Sequence, residues 1–177
     1  GALSGSVTIE AGGEMFNSIG GTISSCDITV KAGGKLDNSD DATLSCDVTV
    51  ETDGYFDNNG VISGGEISGE VSNYGIITGG DFTGATVTNT KDGTISGGTF
   101  TGATVYNDDG TISGSDFTEA TVRNTGDATV TGGTFSNVAF DSTSGELTIT
   151  GNVDLDEEDA LAPLTIRQAQ IKSVVVS

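Results

Sequence analysis

Large apolar residues in this chain fall five apart and then skip a longer step, as in Ile95, Phe100 and Val105 followed by Ile112, Phe117 and Val122. The unit is spelled three times: Ile77-Thr-Gly-Gly-Asp-Phe82-Thr-Gly-Ala-Thr-Val87, Ile95-Ser-Gly-Gly-Thr-Phe100-Thr-Gly-Ala-Thr-Val105 and Ile112-Ser-Gly-Ser-Asp-Phe117-Thr-Glu-Ala-Thr-Val122. Ile77, Ile95, Ile112 and Val130 follow one another at 18, 17 and 18 residues. That period is too short for two helices, and the three- and four-residue spacing of an amphipathic helix is missing. Thr, Ser, Gly and Asn fill the intervals, and they favour strands and corners. Each apolar residue stands between polar ones, as in Thr94-Ile95-Ser96, Thr99-Phe100-Thr101 and Thr86-Val87-Thr88. One side chain then points inward and its two neighbours outward. A short fixed period marks stacked units that bury their apolar faces only against each other. The pattern therefore predicts an all-β fold, a single-stranded parallel β-helix (β-solenoid) of about eight short three-faced coils with a C-terminal cap. Ile23, Leu44, Ile62, Ile77, Ile95, Ile112 and Val130 should form one inward row. Phe82, Phe100, Phe117 and Phe135 should form an interior aromatic stack.

The corners are legible too. Gly-Gly or Gly-Ala marks two of them, and an Asn-centred turn marks the third. Asn73, Asn89, Asn107 and Asn124 each lie two residues after an inward Val. Stacking places these amides in a ladder, bonding along the stack or capping their own turns. Looser copies precede the regular block: Thr22-Ile23-Ser24-Ser25-Cys26-Asp27-Ile28 is echoed by Thr43-Leu44-Ser45-Cys46-Asp47-Val48, and Ala11-Gly-Gly-Glu-Met-Phe16-Asn17 by Ala32-Gly-Gly-Lys-Leu36-Asp37-Asn38. Ile62, Ile67, Val71 and Ile77 define a short coil of 15 residues. Beyond the block, Val130, Phe135 and Phe140 keep the five-residue step, and Leu147-Thr-Ile149-Thr is expected to close a further coil. Two regions result: solenoid repeats over 1–151 and a C-terminal cap over 152–177. The cap should contain a short helical turn near Pro163 and strands at Leu164–Arg167 and Ile171–Val176. Terminal units of a solenoid differ because they must cover an open core and block edge pairing.

Composition narrows the chemistry. Six Lys and Arg stand against 26 Asp and Glu, a net charge of −20, with no His and no Trp. Such a chain does not bind DNA or an anionic membrane through charge, although a cationic partner suits it. Low apolar content alone would suit disorder, but apolar residues in strict register argue for folding. No stretch is long or apolar enough to insert in a bilayer, and no signal peptide is present. The start at Gly1, without Met, suggests a processed piece whose export signal and anchor lie outside it.

Without His, the usual general base and the Ser/His/Asp arrangement are missing, and the two Cys lack a basic partner. Paired acids of the glycosidase kind are the remaining enzymatic option. Asp81 and Asp116, however, alternate with Thr99 and Thr134 on a repetitive surface with no unique constellation. No catalytic residue, cofactor or metal site is expected, and the chain is read as not an enzyme. The acid run Asp154–Asp159 lacks the spacing of a calcium loop and reads as a solvated face. Cys26 and Cys46 are one coil apart at equivalent inward positions, each two residues before Ile28 or Val48. Neighbouring coils about 4.8 Å apart match the roughly 4.4 to 6.8 Å that a disulfide accepts between Cα atoms. The pair can bridge or remain as two buried thiols. A zinc site would need further ligands.

Strings such as Gly93-Thr-Ile-Ser-Gly-Gly-Thr-Phe-Thr-Gly102 resemble the Gly/Thr/Ser-rich parallel β-solenoid repeats of large bacterial cell-surface proteins of the adhesin type. The five-residue step with a small residue two before the apolar one, as in Ala103-Thr-Val105, is also similar to pentapeptide-repeat proteins. The extra residues per coil and the Thr spelling depart from the latter. The resemblance covers most of the chain. It implies an extracellular, bacterial cell-surface location and a structural or adhesive role, with a host or surface glycan or protein as ligand, and it supplies no binding residue. The oligomeric state is left open. Two alternatives stand beside it. The outward pairs Thr22/Ser24, Thr43/Ser45, Thr94/Ser96, Thr111/Ser113, Thr129/Thr131 and Thr148/Thr150 form a hydroxyl face of the T-x-T kind seen in ice-binding solenoids, interrupted by Val61 and Ile76. An acidic rod also resembles the pentapeptide-repeat proteins that mimic DNA and bind topoisomerases.

Overall fold

The polar-apolar-polar spelling becomes short strands stacked in parallel. A computed structural model describes residues 5–125, 127–141, 146–154 and 173–176, with side chains described over 5–125 and 127–134. One sheet contains eight strands in register order, β1 (Gly5–Ile9), β3 (Thr22–Val30), β5 (Thr43–Val50), β7 (Val61–Ser68), β9 (Ile76–Asp81), β11 (Thr94–Ile95), β13 (Thr111–Ile112) and β15 (Thr129–Val130). The opposing sheet interleaves with it through β2 (Glu14–Asn17), β4 (Lys35–Asn38), β6 (Tyr55–Asn58), β8 (Glu70–Asn73), β10 (Thr86–Asn89), β12 (Thr104–Asp108) and β14 (Thr121–Thr125). The chain is thus a β-solenoid of about seven turns.

The inward row forms as expected. Ile23 pairs Leu44, Leu44 pairs Ile62, Ile62 pairs Ile77, and Ile77, Ile95, Ile112 and Val130 continue the series. All but Val130, which is half-buried, lie in the core. A second inward row runs along β4, β6 and the later strands of that sheet through Leu36, Phe56, Val71, Val87, Val105 and Val122. Between the two lies a third face. In β3, β5, β7 and β9 it is the second half of a strand that bends in the middle, and in later coils it shrinks to single bridges from Asp81 to Thr99 to Asp116 to Thr134. Its inward residues include Phe82, Phe100 and Phe117, fully buried and stacked at 4.7 and 5.0 Å between ring centroids. The side chain of Phe135 lies outside the described residues.

The stack is held in phase at one corner by buried amides. Asn17 donates its side-chain N–H to the side-chain oxygen of Asn38, and the series continues through Asn58, Asn73, Asn89, Asn107 and Asn124 with distances of 2.6 to 2.9 Å. The steps between rungs are 21, 20, 15, 16, 18 and 17 residues, so coils of unequal length share one register. The second amide hydrogen is directed at turn carbonyls such as Gly75 and Gly93. Close approach at this corner demands small residues. A Cβ on Gly110 would lie 2.3 Å from the Asn89 Nδ2.

The C-terminal end departs from the repeat. β16 (Thr134–Asp141) pairs antiparallel with β17 (Glu146–Asp154), and β18 (Ser173–Val176) pairs antiparallel with β14, with Val122 opposite Val176. The further coil expected through Leu147 and Ile149 is therefore replaced by a hairpin. The reason is physical: β14 has a free edge after the last full coil, β18 satisfies its hydrogen bonds, and β17, parallel to β18, and β16, antiparallel to β17, carry the sheet on beyond it. The expected strand at Ile171–Val176 is represented by β18. The acid run from residue 155 to 159, the helical turn near Pro163 and the strand at 164–167 lie outside the described residues.

Candidate functional site

The eight-stranded sheet presents the hydroxyl face. Its first outward column runs in register through Thr22, Thr43, Val61, Ile76, Thr94, Thr111 and Thr129. The second contains Ser24 opposite Ser45 and, two residues after each later Thr, Ser96, Ser113 and Thr131. These side chains are half-buried to exposed, as befits outward positions on a strand. The Thr129 hydroxyl donates to that of Thr111 at 3.2 Å, while Thr78, Ser96 and Thr131 donate back to the carbonyls of Ile62, Ile77 and Ile112 at 3.3 to 3.4 Å. Hydrogens committed along the stack leave the oxygen lone pairs of these hydroxyls as acceptors. The column is thus biased towards accepting hydrogen bonds from a ligand. Val61 and Ile76 form an apolar seam across the middle of the face. Thr148 and Thr150 do not extend it: they lie on β17, which belongs to the ten-stranded sheet.

The third face carries an acidic column longer than the Asp81 and Asp116 alternation alone suggests. Asp27 pairs Asp47, Glu66 pairs Asp81, and the Glu66 N–H donates to Asp47 Oδ1 at 2.8 Å, linking the two pairs. Four successive coils therefore stack a carboxylate. The signal was present, since each acid directly precedes an inward residue, Ile28, Val48, Ile67 or Phe82. It was masked by the unequal lengths of the early coils. A hydroxyl two residues on serves some of these acids: Thr83 donates its backbone N–H and its hydroxyl to Asp81 at 2.9 and 2.6 Å, and Thr118 does the same for Asp116. A shallow groove of about 300 Å³ lined by Asp47, Glu66, Ser68, Asp81 and Thr83 runs along this face. Among the described residues no group of three or more Cys, Asp or Glu is arranged to hold a metal ion.

The basic residues are partly used inside the stack. Lys35 donates to Asp57 at 2.9 Å with Asp37 at 3.7 Å, and its hydrogen bond to Asp57 is the main cause raising its pKa. Lys31 pairs with Glu51 one coil on, which likewise raises its pKa. Both pairs are exposed enough that they contribute little stability. A second depression, about 400 Å³, opens beside Phe16, Ser18, Ile19, Ser39 and Asp40 at the Asn corner of the first coils.

Cys26 and Cys46 both point into the core and are free thiols. The Cys46 thiol is pushed up to about 12, first by burial and then by its hydrogen bond with Cys26, with the carboxylates of Asp47 and Asp27 adding to the effect. Among the described residues, no helix is long and apolar enough to cross a membrane. Comparison of the chain with protein-family models, with curated proteins and with solved structures finds no match.

Proposed function

We propose that these coils form a non-catalytic module of a bacterial cell-surface protein, acting as a stalk or as an adhesive face. One observation carries the reading: the core rows and the Asn ladder run without a break from Asn17 to Asn124, and the outward columns keep the same register even where Val61 and Ile76 interrupt the hydroxyls. A surface built from repeating columns recognises an extended partner along its length, whereas catalysis needs a local break that gathers unlike groups. An extended surface glycan or host protein fits the outward-facing hydroxyl oxygens, and the acidic, Thr-rich exterior suits open water.

The test is an array of glycans and host proteins probed with the wild-type module and with a Thr94→Lys, Thr111→Lys double variant of the hydroxyl face. Adhesion through that face predicts a specific partner whose affinity falls by at least about tenfold in the variant. A stalk predicts no partner in either protein. Turnover of a bound glycan would overturn both forms of the proposal. The surface assignment is tested separately: the parent gene should encode an export signal and a wall or membrane anchor.

A second reading, ice binding, is favoured by the in-register Thr and Ser columns on parallel strands. Shaping of ice crystals by the wild type, lost in the same double variant, would establish it. Absence of shaping removes it.

A further inference from the structure

Outside the hydroxyl face, one arrangement joins two reactive groups: the thiols of Cys26 and Cys46. Their meeting depends on a local irregularity. The register of β3 with β5 slips between Ser24 and Asp27, so that Ser24 faces Ser45 while Asp27 faces Asp47. The extra residue is Ser25, whose φ of 64° places it in the left-handed region that side chains seldom adopt. Absorbing one residue there brings Cys26 beside Cys46, each immediately before the Asp27–Asp47 pair. Both thiols are buried, at 5% and 3% exposure. Gly5 lies opposite Cys26 on the preceding strand, and Gly65, two residues before the inward Ile67, succeeds Cys46 in the column. Neither neighbour has a side chain. The two sulfur atoms therefore share a stretch of the interior in which each is the other's partner. Adjacent strands separated by about 4.8 Å satisfy the Cα separation that a disulfide accepts.

We propose that Cys26 and Cys46 form a redox staple between successive coils, closed while the chain folds and shielded from exchange once it has folded. The co-reactant is a low-molecular-weight disulfide. One cysteine thiolate attacks a sulfur of that disulfide, releasing one small thiol and leaving a mixed disulfide on the protein. The second thiolate attacks the protein sulfur of the mixed disulfide and releases the other small thiol. Two protein S–H groups become one S–S bond, two protons are lost from the protein sulfurs, and the small disulfide is reduced by two electrons to two thiols. Shielding follows from burial and from the scarcity of thiolate: the raised pKa of Cys46 keeps its sulfur protonated at neutral pH. The staple would tie β3 to β5 at the corner where no side-chain ladder holds the coils.

The test uses the whole chain. Reduced protein is unfolded and then refolded with a mixture of oxidised and reduced glutathione, quenched with an alkylating reagent and weighed. The proposal expects a product lighter by two hydrogen atoms with no alkylated thiol, and a higher denaturation midpoint than the reduced form. The same mixture added to folded, reduced protein should consume its thiols at least about tenfold more slowly than those of the unfolded chain. In Cys46→Ala, Cys26 should end as a free thiol or a glutathione adduct, never as an internal bridge. Two free thiols, two glutathione adducts or a bridge between chains in the refolded wild type would overturn the staple. Native thiols that react as fast as unfolded ones would overturn the shielding. Both outcomes are measured on the wild type, so a variant that fails to fold leaves them intact.

Discussion

Two corners of the same coil solve the same problem by different means. At the Asn corner, each turn is tied to the next by a buried side-chain amide, and the ladder is unbroken although its steps vary from 15 to 21 residues. At the Gly corner before the third face, the chain turns through residues with positive φ, Gly65, Gly80, Gly98 and Gly133, and backbone conformation makes the bend. The Asn corner has a polar side chain that repeats a contact, so it tolerates turns of two to four residues before the next strand. The Gly corner has only a conformational requirement, so it tolerates a different residue at a cost. Ser25 beside the cysteine pair and Ser115, in the glycine series with φ 136°, are two such residues, while Asp41 and Asp109 take positive φ in the Asn turns. Register is specified by the corner that bonds, and it holds although the turn after each Asn varies from two residues, as between Asn58 and Val61, to four, as between Asn38 and Thr43.

If that contrast is right, cutting the ladder in its middle should have the largest effect. Removing Asn73 leaves the Asn58 N–H without its acceptor, and the Asn89 oxygen without its donor. Each orphaned buried group costs about 1 to 3 kcal/mol, so Asn73→Ala should destabilise by roughly 3 to 6 kcal/mol once the lost turn bond to Gly75 is included. Asn17→Ala orphans the oxygen of Asn38, removes the bond to the Thr43 carbonyl and strands no donor, so it should cost about half as much. Denaturant titration of both variants decides the matter. Equal losses, or a loss under about 1 kcal/mol at Asn73, would mean that the amides do not couple the coils.

Next in size is the interior between the corners. Phe100 is stacked between Phe82 and Phe117 and fully buried, so Phe100→Ala should cost about 3 to 5 kcal/mol. A smaller gain is expected at the Gly corner. Ser115 holds a strained φ, and its hydroxyl is buried without a hydrogen-bond partner. Ser115→Gly restores the residue used at Gly80 and Gly98 and should stabilise by about 1 to 2 kcal/mol. A loss of stability in that variant would show that the serine side chain contributes a contact that outweighs its strain.

The same contrast explains what could be read from the chain. The inward row of Ile and the aromatic stack were legible because the five-residue step is regular from Ile77 to Val122. The ladder was legible only at Asn73, Asn89, Asn107 and Asn124, where the preceding Val repeats. Asn17, Asn38 and Asn58 belong to the same series, but they follow Phe16, Asp37 and Asp57 in coils of other lengths. The residue two positions before each of them is Met15, Leu36 or Phe56, so no repeated Val flags the series there. The reversal after Thr134 was not legible, because period-two alternation says which side chains face inward and not whether the partner strand is parallel. The five-residue step continues through Phe135 and Phe140 while the pairing changes direction. Among the proposed hydroxyl pairs, those on Thr22 to Thr131 share one sheet, and Thr148 and Thr150 fall on the other for this reason.

The last test of the contrast is the pH response of the Gly corner. Cys46 has its thiol pKa raised from 9.0 to about 12, mainly by burial. In the unfolded chain that thiol loses its proton near the ordinary value, whereas in the folded reduced protein it keeps it. Between those two values the folded state binds more protons, so stability must fall as pH rises. The contribution of the thiol is fully present below pH 9 and is lost on approach to about 12. Lys31 and Lys35, whose pKa values are also raised, act in the same direction at the upper end of this window. Cys46→Ala removes the thiol and leaves the lysines, which separates the two. Denaturation midpoints of reduced wild type and Cys46→Ala, measured from pH 8 to 11, should converge or cross as pH rises. Parallel curves would show that the Cys46 thiol titrates alike in both states, and that the interior beside Cys26 is open to water. The Asn corner has no titrating rung, so Asn17→Ala should follow wild type across the whole range.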